Sequence, residues 1–274
     1  MSNHISQGEH TISLDTRSLI SSRYQVVTKA SNMEFWNSSS ATSNSRYVGS
    51  YGRGTAIDTS DLDIMLVLPN SEYDRFNSAT GNEQSRLLQA VRGAVRDSYP
   101  RSDVRADGQV VKINFSDGMK FELLPAFKHM KYDAYRGQYW DKTYIYADSN
   151  DGGHWKSTNP LAEQESMEDK NNESNGLLFD TCKHMRWIRD NYYSSYHLSG
   201  ITIDTFAYYA IGSYHWKNRN GDGKSSGQYE NDLLQYFENN SHIFWTLRAP
   251  GSGDEVRMYE YLDELEKVLN KMTD

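Results

Sequence analysis

The sequence predicts an α+β protein: a mixed sheet with helices in the first half, and an all-helical second half. Three observations carry this. Residues 46–124 hold short apolar runs cut by two Asp-Gly pairs, which are strong hairpin turns. From about Pro160 the apolar residues recur every three to four positions instead. No internal repeat breaks this two-part pattern, and 274 residues suffice for two lobes sharing a cleft. The expected boundary divides residues 1–158 from 159–274.

A first helix is expected over 16–38, where Ile20, Tyr24, Val27 and Met33 to Trp36 keep a three-to-four spacing, with Asp15 or Thr16 as its cap. A short strand follows from Arg46 to Gly49. A second strand carries Leu62, Ile64, Leu66 and Leu68 on one face and Asp61, Asp63, Met65 and Val67 on the other. Its apolar face calls for a helix, and residues 82–99 supply a stripe of Leu87, Leu88, Val91, Ala94 and Val95. Three strands are expected near 103–106, 109–115 and 119–124, the last ended by Pro125, and a short one at 144–146. Helices are expected through Leu178, Cys182, Met185 and Ile188, over 204–214, and over 231–239. Residues 217–228 read as a polar loop. A final helix is expected to start at a Ser252/Glu255 capping box and to face the core with Leu262, Leu265, Val268, Leu269 and Met272.

Composition narrows the function. Hydrophobic residues are only 37%, so the core needs the 20 Tyr and 6 Trp. There is no transmembrane run or signal-peptide pattern, and a single cysteine forbids internal disulfides; a cytoplasmic protein without a membrane partner is expected. A net charge of −8 lacks the basic footprint of a protein that grips duplex nucleic acid. Nucleotides are the better expectation. The eight histidines show no metal-ligand spacing, and His184 reads as a packing or hydrogen-bonding residue.

The chemistry concentrates in residues 48–69, read as strand, phosphate-binding turn, short helix, strand. Asp61 and Asp63 at i and i+2 fall on one face, roughly 6 to 7 Å apart. Gly49 lets backbone approach a phosphate closely, and Ser50 adds a hydroxyl and an N–H. Hard carboxylate oxygens beside such a turn suit Mg²⁺ carrying a triphosphate. Alone, an Asp-x-Asp pair is commonly a solvated face and Gly-Ser only a turn; together between two strands they are far more specific. Lys183 and Arg186, three apart, share a helix face. They make either an ordinary solvated basic face or a clamp for the β- and γ-phosphates.

The Gly49-Ser50 turn and the Asp61-x-Asp63 strand resemble the signature of DNA polymerase β-like nucleotidyltransferases. Further matches resemble one branch, the bacterial CD-NTases of CBASS antiphage defence, related to cyclic GMP-AMP synthase. Phe121-Glu122-Leu123-Leu124-Pro125-Ala126 resembles that branch's third-carboxylate strand, with Glu122 where Asp is commoner. Thr158-Asn159-Pro160 with the Lys183/Arg186 helix resembles the entry to the helical lobe. Ala249 to Gly253 resembles a late Pro-Gly-Ser-Gly turn.

The resemblance implies a polymerase β-like lobe plus a helical lobe, with the active site in the cleft. It implies that Asp61, Asp63 and Glu122 hold two Mg²⁺ ions, with Mn²⁺ as the alternative. Gly49, Ser50, Lys183 and Arg186 would hold the nucleotide phosphates. The expected product is a cyclic di- or trinucleotide second messenger made from NTPs for a separate effector. Three rivals stand beside it: a template-free transferase modifying tRNA or protein, a linear oligonucleotide synthase, and a non-catalytic nucleotide sensor.

Overall fold

The computed structural model describes residues 3–78, 80–135, 137–217 and 227–274. The expected polar loop therefore lies mostly outside the described residues. The chain forms two compact units. One comprises residues 14–52 and 61–160. The other gathers 161–274 with two earlier pieces, 1–13 and 53–60, so a single cut at residue 158 does not describe the division.

The first unit is built on a seven-stranded mixed sheet. Helix α1 (Leu14–Phe35) buries Ile20 and Val27 of the expected stripe together with Ser31, whereas Met33 and Trp36 stay exposed. Strand β1 (Ser45–Tyr47) leads into a single helical turn, α2 (Gly49–Gly52), and β2 (Leu62–Val67) pairs antiparallel to β1. Ile64, Met65 and Leu66 are fully buried, so both faces of β2 are covered beyond Asp63. Each such side chain contributes about 1.5–3 kcal/mol by leaving water. Helix α3 (Asn70–Asn77) was not expected. Helix α4 (Glu83–Arg96) begins at Asn82, whose side chain accepts a hydrogen bond from the Ser85 N–H, and it buries the expected Leu87, Leu88, Val91 and Val95.

Strands β3 (Asp103–Asp107) and β4 (Val110–Asn114) form the first predicted hairpin. Strand β5 (Lys120–Asp133) corrects the expectation that Pro125 ends it. On one edge β5 pairs with β4 up to Leu123, and on the same edge it pairs with β6 (Gly137–Asp148) from Ala126 onward. Pro125 falls in the gap between these neighbours, where a missing donor costs nothing. Strand β6 is far longer than the expected 144–146, and β7 (His154–Thr158) pairs with its far edge.

The second unit contains α5 (Pro160–Glu173), α6 (Leu177–Tyr192), α7 (Gly200–Ala210), α8 (Gln228–Asn240) and α9 (Leu262–Thr273). Its core joins Leu178, Cys182, Met185, Phe206, Leu233 and Leu265. The expected capping box is corrected. Glu255 lies in β9 (Glu255–Val256), paired with β8 (Leu247–Arg248), and Gly251 and Gly253 turn the hairpin at φ of 73° and 71°. Left-handed glycines make a tight turn here where a helix start would need right-handed backbone. Helix α9 starts ten residues later than Ser252, after Tyr261 and without a side-chain cap.

Candidate active site

The acidic face of the sheet unit is assembled by strand register. Strands β2 and β5 run parallel, and Asp63 lies directly opposite Glu122. Neighbouring strands lie about 4.8 Å apart, so the two side chains emerge side by side on one face. Asp61 stands just before β2, two residues from Asp63. Its side chain is 49% exposed and that of Glu122 29% exposed, so both stay in reach of solvent and solutes.

The turn before β2 is built around the same carboxylate. The Val48 N–H donates to the Asp63 carbonyl at 2.9 Å. Gly49 sits at φ 56°, and a Cβ there would stand 1.8 Å from Asp63 Oδ2. Only glycine permits this backbone to lie against the carboxylate. Ser50 follows at once, inside α2.

Two lysines complete the face, and the sequence reading gave them no role. Lys112 on β4 lies opposite Glu122, with its Nζ 3.4 Å from Glu122 Oε1 and 2.8 Å from Asp107 Oδ2. The bond to Asp107 chiefly, and Glu122 as well, raise the Lys112 pKa, so it stays cationic. Lys120 Nζ is 3.8 Å from Asp61 Oδ1. The alternation that puts Lys112 beside Glu122 depends on the β4/β5 register, which no local pattern announces.

Chemically, the face offers three carboxylates, partly offset by two ammonium groups, at the mouth of a glycine turn. All three are hard oxygen donors of the kind Mg²⁺ and Mn²⁺ take. The cradle that a Cβ at position 49 would fill leaves one side of Asp63 open to backbone alone.

The second unit holds Lys183 and Arg186, and their settings differ. Lys183 is half-buried on α6, and its charge acts on Asp180 and His10. Arg186 is 1% exposed. Its Nη1 and Nη2 donate to Asp204 at 2.6 and 2.9 Å, and Nη2 donates also to the Gly200 carbonyl at 2.9 Å. The expectation of a phosphate clamp on Arg186 is corrected: the guanidinium is buried against a carboxylate.

That carboxylate anchors a larger network. Arg53 Nε donates to Asp204 and Nη1 to Glu163, both at 2.9 Å, and Thr55 Oγ1 donates to Asp204 at 3.0 Å. Burial alone would raise the Asp204 pKa, but Arg186 and Arg53 overcome it and hold the carboxyl at about 2. For Glu163 burial outweighs Arg53, and its pKa is raised. Gly54, at φ 78°, passes where a Cβ would lie 2.5 Å from the Phe179 ring. Gly54 and Thr55 thus serve packing inside the helical unit.

Comparison with known proteins bears on the family and the fold. The model of the Second Messenger Oligonucleotide or Dinucleotide Synthetase domain matches residues 4–171. No curated protein sequence matches the chain. Among solved structures, the CdnE cyclic dinucleotide synthase of Elizabethkingia meningoseptica is similar over 95% of this chain and 92% of its own, at 13% identity and a TM-score of 0.64. The CdnE c-UMP-AMP synthase of Rhodothermus marinus is similar over 99% and 92%, at 15% identity and 0.66. The DncV cyclic AMP-GMP synthase of Vibrio cholerae is similar over 84% and 60%, at 13% identity and 0.58. At such identities the likeness is one of fold, and it is the expected α+β nucleotidyltransferase fold. Among the described residues no helix is long and apolar enough to cross a membrane.

Proposed function

The chain belongs to the second messenger oligonucleotide or dinucleotide synthetase family, and from that premise we propose that it joins nucleoside triphosphates into a cyclic di- or trinucleotide at the acidic face of β2 and β5. The observation that carries this reading is the pairing of Asp63 with Glu122 across a parallel register, with Gly49 against Asp63.

Asp61, Asp63 and Glu122 are the residues that would hold two divalent cations, Mg²⁺ by preference. Bound there, such cations lower the pKa of the attacking ribose hydroxyl and neutralise the departing pyrophosphate. The chain's own groups do the rest. The backbone at Gly49 and the N–H and hydroxyl of Ser50 orient the β- and γ-phosphates. The attacking ribose oxygen bonds to the α-phosphorus, the bond to pyrophosphate breaks, and Glu122 accepts the hydroxyl proton. Lys112 offsets negative charge next to Glu122, where a triphosphate must approach three carboxylates. Lys183 remains a proposed phosphate ligand; Arg186 does not. A second round on the linear intermediate closes the ring. The product then signals to a separate effector in cytoplasmic antiphage defence.

The test is direct. Purified protein is incubated with all four ribonucleotides and Mg²⁺, treated with phosphatase, and analysed by mass spectrometry. Cyclic, phosphatase-resistant products are expected. Label carried only to added tRNA or protein would overturn the reading in favour of a template-free transferase.

A further inference from the structure

A second cluster of metal-ligating groups lies wholly within the helical unit. His10 Nε2 faces His184 Nδ1 at 3.0 Å, and Glu9 Oε2 stands 3.8 Å from His10 Nε2. All three ligand atoms fall within 4.8 Å of one another. His184 is 1% exposed, and the His10 side chain 7%. Glu9 Oε2 is shielded from solvent and makes no hydrogen bond, although the rest of its side chain is 39% exposed.

The tautomer of His184 fits a ligand role. His184 Nε2 lies 2.6 Å from the Asn3 carbonyl, which can only accept, so Nε2 carries the proton. That leaves the His184 Nδ1 lone pair to accept the N–H of His10 Nε2, a proton that a bound metal ion would replace, with His10 then protonated on Nδ1. Metal-bound histidines are held in this way, with the other ring N–H donated to a carbonyl or carboxylate. Zn–N bonds of about 2.0–2.1 Å place two tetrahedral nitrogens roughly 3.3 Å apart, close to the spacing already present.

We propose that Glu9, His10 and His184 form a binding site for a borderline transition-metal ion such as Zn²⁺, with a fourth position for water. Two imidazoles and one carboxylate make an open zinc-type ligand set. The site would tie the N-terminal segment to α6. That segment is already held by Ile5 N–H on Glu230, by Gly8 N–H on Asp180, and by His10 stacked on Trp187 at 4.9 Å. The ligands come from pieces of chain 174 residues apart, so no spacing in the sequence discloses them; His184 packs and hydrogen-bonds as expected, and ligation would be a further role. The imidazoles set this site apart from the all-carboxylate face of the sheet unit, which prefers harder ions.

The full-length protein, stripped with chelator and kept in excess Mg²⁺ to occupy the carboxylate face, is titrated with Zn²⁺ and separately with Co²⁺. Bound zinc is measured by elemental analysis, cobalt by visible absorption, and the melting temperature is followed. One zinc per chain, a tetrahedral cobalt spectrum and a raised melting temperature are expected. His10→Gln and Glu9→Gln are expected to weaken zinc binding by at least about tenfold, the loss that even outer-shell changes produce. Glu9 is partly solvent-facing while the His10 side chain is buried, and circular dichroism verifies that both variants fold. Substoichiometric zinc in the wild type, or equal binding by wild type and both variants, would overturn the proposal.

Discussion

Asp63 on β2 stands directly opposite Glu122 on β5 in a parallel register, and Gly49 packs its backbone against the Asp63 carboxylate. The two acids are 59 residues apart in the chain and become neighbours only because β2 and β5 pair. Everything proposed for catalysis depends on that neighbourhood.

Gly49→Ala tests the turn. The new Cβ would meet Asp63 Oδ2 at 1.8 Å, at a φ of 56° that disfavours any side chain. The carboxylate must move. Cyclic product formation is expected to fall by roughly 10²-fold, as small displacements at reacting centres do. Unfolding free energy should fall by only about 1–3 kcal/mol, the cost of one strained residue. Product assays and denaturant melts on the same preparation separate the two effects.

Arg186→Ala distinguishes a buried ion pair from a phosphate clamp. Removing one partner leaves Asp204 buried and less compensated, which costs roughly 3–5 kcal/mol. A large loss of stability is expected in denaturant melts. Arg186→Lys should restore little, because an ammonium cannot reproduce the two-pronged contact with Asp204. Unchanged stability with a raised KM for nucleotide would instead mark a substrate ligand.

Acid should weaken the helical unit through Asp204. Its folded pKa is depressed to about 2, below the ordinary 3.8, so its contribution is present at neutral pH. That contribution, roughly 2 kcal/mol, is lost as pH falls from near 4 through about 2. Glu163 works the other way, since its folded pKa is raised, and it titrates above that window. Stability measured by denaturant between pH 5 and 2.5 should drop in the wild type. Asp204→Asn should show a lower starting stability and a flatter acid limb.

How much of this was legible in the sequence depends on how local each signal is. Asp61, Asp63, Gly49 and Ser50 lie within fifteen residues, and period two with a glycine turn suffices to group them. Glu122 was recognisable from its flanking residues, not from any pairing rule. Lys112 was hidden because its place beside Glu122 is set by a β4/β5 register. Arg186 was misjudged for a related reason: helical spacing puts it near Lys183 but cannot reveal Asp204 buried against it from α7. Pro125 misled because a strand can change neighbours on one edge and keep going. The late hairpin misled because Ser252 and Glu255 keep capping-box spacing while two left-handed glycines forbid the helix. Arg53, Asp204 and Glu163 show the general limit, for long-range ion pairs leave no periodic trace.

Lys112→Met should relax the divalent-ion requirement of the reaction. The ammonium is 3.4 Å from Glu122 and competes with any cation there. Its removal is expected to lower the Mg²⁺ concentration for half-maximal rate by roughly twofold to fivefold, the scale of a partly exposed ion pair. Initial rates across a Mg²⁺ titration at saturating nucleotide provide the check, and an unchanged or raised half-saturation point would contradict it.

The central claim is that acids from β2 and β5 jointly hold divalent ions with a nucleotide. Its most direct test is electron paramagnetic resonance of Mn²⁺ titrated into protein with a non-hydrolysable ATP analogue. Wild type is expected to bind Mn²⁺ tightly, with Asp63→Asn and Glu122→Gln each weakened by at least about tenfold. Wild-type Mn²⁺ affinity in Glu122→Gln would contradict the account.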